Sequence, residues 1–514
     1  MRNSGHNLVR ALSSSFVSVL LPLMLIAVLP HSLYAAWAIV YGLAAYVLFL
    51  DLGVPTAVQT IVARGEGLNK PRVSIAAELS GLKVMSAIVA VCLIGAVGVA
   101  STLRVFFPAI PESAIQEAQV ALVVISTGQL SNLVANTVSA YFAGQQRNHI
   151  PTALIAPSRI ISMMLAATAA LLYQDLIFIA VCYAAPLVLG TSILALRFWN
   201  ETRALSGFSL DSGPLRQQVV NVRYLLSYSG PLIIWNLAGL VISGTGLVIV
   251  ARLDYPSIIS YSFGSVLVAA QVGLGNALTG PVLPELGRLH GASGIGAVEI
   301  LTRQATRLNG LFALGAAGIL VGTVPFLSHV FLAGTKQPPF QIFAIVTLLV
   351  TASALRSCMT PLSLAFIATK RHHRVIAPPV LEAVLTLILS LGLGFAMGAT
   401  GVALGVFLGA LSSLLITLTW SIRLTRLQSI GRQSLLRDGV LKPLLVVGPM
   451  YVAGLLIELT NSWDGLTGYG FISIGFAGSL TLAISSGLDS TSRVYLMRRV
   501  TSIVRRNVKR DTRS

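Results

Sequence analysis

Three cationic side chains, Lys83, Arg159 and Arg356, occur within long apolar stretches of the chain. A charge at the centre of a bilayer costs about 2.5–3.5 kcal/mol on insertion scales, so a side chain that bears this cost usually faces a cavity, a ligand or a partner. Cations can bind phosphate there, which makes the three residues candidate ligands of an anionic group. The alternatives are an ion pair within the bundle for Arg356, an ion pair with Glu382 for Arg159, and a local pair with Glu78 or snorkelling for Lys83.

Amide and hydroxyl side chains recur at helical spacing in two of the apolar stretches. Such groups can bind the hydroxyls of a sugar, or they can hydrogen-bond between helices inside a membrane. In each stretch the spacing places the polar residues on one helix face. The two sets are Gln129, Asn132 and Asn136 on the first helix, and Ser353, Arg356 and Thr360 on the second.

Three carboxylates, Asp51, Glu78 and Glu382, lie at or near membrane depth. A transporter coupled to protons or metal cations needs such a group, so these residues are candidate coupling sites. The alternative for Asp51 is that it caps the helix that resumes near Val54.

Metal-ligating patterns are absent from the sequence. The three cysteines all lie in apolar runs, and His372 and His373 are adjacent, so they do not share a helix face. We therefore predict no metal site.

The elements that must position these residues are membrane helices. The chain has 514 residues, of which 55% are hydrophobic and only 10% are charged. Soluble proteins carry about 25% charged residues. The net charge is +18, and most Lys and Arg residues lie in the polar connections, where they indicate membrane topology and not nucleic-acid binding. The sequence predicts an all-α polytopic membrane protein.

About 14 apolar runs divide the chain into five parts. Spans one to six lie within residues 1–196 and spans seven to twelve within 225–422, with a polar cytoplasmic linker at 197–224. Spans thirteen and fourteen lie within residues 423–488, and a basic tail follows at 489–514. Residues 287–307 are interpreted as a polar loop. Asp51–Pro55 predicts a helix break, and Gly398-Ala399-Thr400 predicts a tight turn.

A repeat supports this division. Residues 127–149 read TGQLSNLVANTVSAYFAGQQRNH, and residues 351–373, at a shift of 224, read TASALRSCMTPLSLAFIATKRHH. Both copies predict a helix with a polar face that ends in a basic turn. Lys and Arg are concentrated in the connections on the side of the N-terminus, which places both termini in the cytoplasm.

Residues 34–65 carry a family resemblance. The segment YAAWAIVYGLAAYVLFLDLGVPTAVQTIVARG resembles the opening of bacterial polysaccharide flippases, which translocate lipid-linked oligosaccharides and belong to the multidrug/oligosaccharidyl-lipid/polysaccharide exporter superfamily. The turn GQQRNH and the segments LSYSGPLIIWNLAGLVISGTGLVIVARLD and GLGNALTGPVLPELGRLHG extend the resemblance over most of the chain.

The resemblance implies two pseudo-symmetric six-helix lobes around a central cavity, plus two C-terminal helices. It implies a non-enzymatic protein of the bacterial inner membrane that flips an undecaprenyl-pyrophosphate-linked oligosaccharide by alternating access, for cell-surface or exopolysaccharide synthesis. No cofactor is expected apart from a coupling ion, H⁺ or Na⁺. The expected partners are this substrate and membrane lipids, with a polysaccharide polymerase and chain-length proteins as candidates.

Three other functions compete with this interpretation. A cation-coupled multidrug or metabolite antiporter of the same superfamily would favour carboxylates and aromatic residues in its cavity. A membrane polymerase or ligase would need a large outer loop with catalytic residues, whereas the outer connections of this chain are short. A non-transporting scaffold would not need polar faces inside the membrane.

Overall fold

The computed structural model describes residues 17–67, 71–205, 222–279, 282–332, 337–369, 375–425, 431–462 and 466–485. Within these ranges the chain is helical and has no strand. The first half contains α1 (Val17–Val28), α2 (His31–Ala45), α3 (Val54–Gly67), α4 (Pro71–Phe106), α5 (Glu112–Gly144), α6 (His149–Leu172) and α7 (Leu176–Leu205).

The second half contains α8 (Val222–Leu253), α9 (Ile258–Thr279), α10 (Val282–Phe331), α11 (Pro339–Cys358), α12 (Thr360–Ala368), α13 (Ala377–Ile416) and the short α14 (Ile422–Thr425). It is followed by α15 (Arg432–Leu436), α16 (Lys442–Thr460) and α17 (Leu466–Ser485). We call residues 17–205 the N-half and residues 222–425 the C-half.

The number of membrane crossings agrees with the sequence. Eleven helices of the described residues are long and apolar enough to cross a membrane. One of them, Ala377–Trp420, bends back on itself, and the shorter apolar α1 and the 20-residue α17 are further apolar segments. Together these give about 14 segments, so the predicted all-α polytopic class is confirmed.

The α13 hairpin turns at Gly398, whose φ of +59° is strained for any residue with a Cβ. Gly405 and Gly409 of the second arm lie directly against the first arm, at the Ser390 backbone and the Thr386 side chain. Ser390 Oγ donates a hydrogen bond to the carbonyl of Val402 at 3.2 Å. Small residues spaced by four let two membrane helices approach closely, which explains the tight hairpin.

Replacing Gly405 by valine is expected to disrupt this hairpin, because the new side chain would overlap the Ser390 backbone. Overpacking typically costs about 1–3 kcal/mol. Thermal unfolding of the detergent-solubilised protein should therefore begin at a lower temperature. Gly392→Val is the matched control, since no atom lies within 4 Å of the position of its Cβ. Equal unfolding temperatures for the two variants would contradict the packing argument.

The break predicted at Asp51–Pro55 is present. A 3₁₀ helix, Tyr46–Asp51, ends at Leu52 and Gly53, which both have positive φ. The Asp51 Oδ1 atom accepts the N–H of Gly53 at 3.0 Å, and α3 begins at Val54. Asp51 therefore stabilises the bend between α2 and α3.

Three features differ from the sequence-based expectations. Residues 287–307, interpreted as a polar loop, belong to the long helix α10. A helix that extends outside the membrane carries polar residues on its surface, so its composition resembles that of a loop. The predicted linker at 197–224 is helical up to Leu205 and again from Val222, and residues 206–221 lie outside the described part. The helix predicted to carry Ser353, Arg356 and Thr360 is interrupted: α11 ends at Cys358 and α12 begins at Thr360, since Pro361 lacks the N–H that would continue α11.

The bundle has two ends. The turn end carries the short connections at 107–111, 173–175 and 254–257 and the bend at Gly398, and the basic end carries the turn at 145–148. One buried apolar cluster joins the two halves. Its N-half members, such as Leu103, come from the turn-end part, and its C-half members include Val266. Separate clusters around Val58 and around Leu286 lie near the basic end. In the described residues, the shared cluster therefore takes its N-half members from the turn end, whereas the basic end of the N-half has a cluster of its own.

Candidate functional site

An aromatic-amide cluster lies inside the N-half and consists of Trp37, Tyr41, Gln129, Asn132 and Tyr183. Gln129 Nε2 donates to the Tyr183 hydroxyl at 2.9 Å, and Asn132 Nδ2 donates to Gln129 Oε1 at 3.3 Å. The ring centroids of Trp37 and Tyr41 are 5.9 Å apart, and those of Tyr41 and Tyr183 are 5.8 Å apart. Helices α2, α5 and α7 thus bring hydroxyl, amide and aromatic groups together at membrane depth.

Arg159 extends from α6 towards this cluster, where the phenol groups of Tyr41 and Tyr183 are within electrostatic range. Its side chain is partly buried. Among the described residues, no hydrogen bond or ion pair links Arg159 to a partner. The cluster therefore carries a positive charge that no described carboxylate compensates.

Arg356 has the opposite environment in the C-half. Its Nε atom donates to Glu382 Oε1 at 2.5 Å, and its Nη2 atom donates to the Val406 carbonyl at 3.2 Å. The side chains are 23% and 7% exposed, respectively. Glu382 thus pairs with Arg356 and not with Arg159, so the alternative proposed for Arg159 is wrong. The sequence could not separate the two cations, because both lie at similar depth.

A cavity of about 180 Å³ adjoins this ion pair. Its polar lining is Trp235, Arg356, Ser363, Glu382, Ser413 and Thr417. The cavity holds a few water molecules or a small group, and its charges are balanced by the pair.

The other predicted ligands occupy different environments. Asn136 is partly buried and has a partner, Ser353 is buried, and Thr360 is the first residue of α12, beyond the break that interrupts the polar face. Lys83 is exposed on α4, on the same face as the exposed Ile94. An apolar exposed face of a membrane helix contacts lipid, so the structure does not bring Lys83 to the cluster.

The three carboxylates differ in their partners. Asp51 Oδ1 accepts a hydrogen bond from Asn236 Nδ2 of α8 at 2.7 Å, which links the two halves. Glu382 is paired with Arg356. Glu78 is fully buried, and neither of its carboxyl oxygens has a hydrogen-bond partner among the described residues. The local pair between Glu78 and Lys83, considered from the sequence, is therefore not formed.

A polar face on α3 was missed by the sequence reasoning. Thr56, Gln59 and Thr60 are exposed, whereas Val58 and Val62 on the other side are fully buried. A polar exposed face at membrane depth is favourable only beside water. The face therefore lines an aqueous space towards the basic end. In the sequence, this face could have been recognised from its two hydroxyls and one amide at helical spacing.

The basic turn after α5 fixes the ends of two helices. Arg147 forms an ion pair with Glu201 of α7 through its Nη1 and Nη2 atoms, and its guanidinium lies 5.6 Å from the centre of the Phe142 ring. The corresponding turn of the repeat, residues 370–374, lies outside the described residues.

Comparisons with known proteins identify the fold. No protein-family model matches the sequence, and no curated protein matches it. A multidrug resistance MATE family transporter of the MOP superfamily, in its inward-facing conformation, superposes with a TM-score of 0.62 at 12% identity, over 81% of this chain and 96% of that chain. The lipid II flippase MurJ, in an inward closed conformation, gives 0.61 at 14% identity, over 92% and 97%.

A third structure is a MOP superfamily transporter from Pyrococcus furiosus Vc1, described by the reverse polarity of its binding pocket. It gives a TM-score of 0.61 at 12% identity, over 83% of this chain and 95% of that chain. The chain therefore has the fold of MOP superfamily transporters. The matched structures include both multidrug transporters and a lipid flippase, so the fold alone does not select the substrate.

Proposed function

We propose that this protein flips an undecaprenyl-pyrophosphate-linked oligosaccharide across the bacterial inner membrane by alternating access, for cell-surface or exopolysaccharide synthesis. The observation that carries the proposal is the uncompensated charge of Arg159 beside the aromatic-amide cluster. A pyrophosphate would supply the missing counter-charge, and charge-assisted hydrogen bonds to phosphate are among the strongest that proteins form. Gln129 and Asn132 would then contact the sugar.

The conformation suits loading from the cytoplasm. Because Lys and Arg accumulate on the cytoplasmic side of membrane proteins, the basic end and both termini are assigned to the cytoplasm. The N-half has an apolar cluster of its own at that end, and the polar face of α3 is exposed there. A cytoplasmic lipid-linked glycan would enter there, with its sugar against Thr56, Gln59 and Thr60.

Arg356 is a second head-group ligand in this proposal. Its pairing with Glu382 means that phosphate must compete with a carboxylate already in place. Arg159 has no such competitor among the described residues, so it ranks above Arg356 as a phosphate ligand. Lys83 would at most guide the lipid from its position on the outer face of α4.

A multidrug or metabolite antiporter is the second candidate. The rings of Trp37, Tyr41 and Tyr183 and the unpaired carboxyl group of Glu78 favour it, since cationic compounds bind aromatic faces and carboxylates. Arg159 opposes it, because an unpaired cation in the same cluster repels a cationic drug. One matched transporter is described by a binding pocket of reverse polarity that suggests a different function for that protein.

The remaining assignments belong to the same proposal. They are a non-enzymatic role, two six-helix lobes joined by a cytoplasmic linker at 197–224, coupling to H⁺ or Na⁺, and cooperation with a polymerase and chain-length proteins. The basic tail at 489–514 lies outside the described residues.

The decisive experiment is lipid analysis of a strain that lacks the protein. We expect an undecaprenyl-linked oligosaccharide to accumulate on the inner leaflet while surface polysaccharide is lost, with rescue by the wild type and not by Arg159→Ala. Unchanged lipids with new sensitivity to cationic toxins would instead support the antiporter. Unchanged lipids and unchanged toxin resistance would contradict both functions.

A further inference from the structure

Glu78 is a buried carboxyl group with no described function. Its side chain lies on α4 within the core of the N-half, with 0% of its surface exposed. Both carboxyl oxygens lack a hydrogen-bond partner among the described residues. Ser74, one turn earlier and also fully buried, donates its hydroxyl to Glu66 Oε1 at 3.2 Å and is not available to Glu78.

The charged and titratable groups on α4 and on the elements that pack against it contact other residues or lie at exposed positions. On α3, Glu66 accepts hydrogen bonds from Ser74 and from Gln145 of α5. Tyr141 of α5 packs its ring on Phe142 and Phe198. Asp51, at the end of the 3₁₀ helix, is bound to Asn236 of α8, and Lys83 of α4 is exposed. Arg252 of α8 is exposed at the turn end. Among described side chains, none offers Glu78 a counter-ion.

An ionised carboxylate buried without a partner costs several kcal/mol, so such a group takes up a proton instead. Asp51 and Glu382 escape this cost through their partners, which distinguishes Glu78 from the other two coupling candidates. In the conformation described here, Glu78 is stable only as the neutral acid. Its ionised form would require a conformation in which water or a cation reaches it.

We propose that Glu78 is a proton-binding site that couples protonation to the position of the two halves. Binding one proton converts the carboxylate to the carboxylic acid and favours the conformation described here, in which Glu78 is buried; release of that proton to water favours a conformation that hydrates Glu78. Raising the pH therefore shifts the population away from the conformation described here. This inference rests on the proposed alternating access and names its coupling ion.

The test measures conformation without any substrate. In a variant whose three cysteines are replaced by alanine, spin labels are placed through Ala63→Cys on α3 and Gln304→Cys on α10, two exposed positions at the basic end. Label-to-label distances in lipid nanodiscs are then recorded between about pH 5 and about pH 8. We expect the population with the label distance of the conformation described here to fall as pH rises, by up to about tenfold per pH unit for one proton.

Glu78→Gln, a neutral isostere of the protonated form, should keep the low-pH distribution at every pH. Glu66→Gln, which removes an exposed carboxylate on α3, should retain the pH response of the parent. A pH-independent parent, or a Glu78→Gln variant that still responds, would overturn the inference. Size-exclusion profiles identify any variant that fails to fold, and Glu78→Asp then provides a second variant, expected to keep a pH response with a displaced midpoint. Because no glycan is used, this result is independent of the lipid analysis.

Discussion

Arg159→Ala is expected to slow translocation by about tenfold or more while leaving the protein folded and at normal abundance. The guanidinium has no described partner, so its removal leaves no buried carboxylate unpaired. A hydrogen bond to a charged group contributes about 1.5–3 kcal/mol, which corresponds to a loss of affinity of about tenfold or more. The measurement is the rate at which reconstituted protein moves a pyrophosphate-linked oligosaccharide lipid between the leaflets of a vesicle.

Two variants make this result specific. Arg159→Lys should retain part of the rate, because an ammonium keeps the charge and loses the planar fork of donors. Arg252→Ala removes an exposed cation at the turn end and should translocate at the normal rate. Full activity of Arg159→Ala would remove the residue from the substrate site. Improved export of cationic compounds by the same variant would favour the antiporter.

Local features of the fold were predictable where a few neighbouring residues determine them. The spacing of Gln129 and Asn132 placed both amides on one helix face, and both are buried on α5. The bends at Asp51 and Gly398 follow from residues that tolerate unusual backbone angles or stabilise them. The length of the apolar runs indicated an all-α membrane protein, because in lipid only a helix satisfies all of its backbone hydrogen-bonding groups within one segment.

Tertiary partners were not predictable from the same patterns. Glu382 is 26 residues from Arg356 along the chain and on another helix, and nothing in its local sequence distinguishes this partner from Arg159. The hydroxyl of Tyr183, which receives the Gln129 amide, is 54 residues away. Glu78 is unpaired because no described side chain on the neighbouring helices forms a hydrogen bond or ion pair with it. The residue pattern along one helix does not contain that information.

Arg356→Ala alone is expected to destabilise the protein, which makes its transport defect ambiguous. Removing one partner of a buried ion pair costs about 3–5 kcal/mol, because the other charge is left without compensation. The cost here should fall below that range, since the Arg356 side chain keeps 23% exposure and water can screen part of the charge. Thermal unfolding in detergent should show a lower midpoint for Arg356→Ala and for Glu382→Ala.

The double variant Arg356→Met/Glu382→Leu separates structure from transport. Replacing both members of a buried pair by apolar side chains of similar volume is often neutral or stabilising, so the unfolding midpoint should return to that of the wild type. If Arg356 only balances Glu382, translocation returns as well. If Arg356 also receives phosphate, the double variant is stable and still translocates slowly. We expect the second outcome, with a smaller loss than for Arg159→Ala, because phosphate gains less from a cation that must first release a carboxylate.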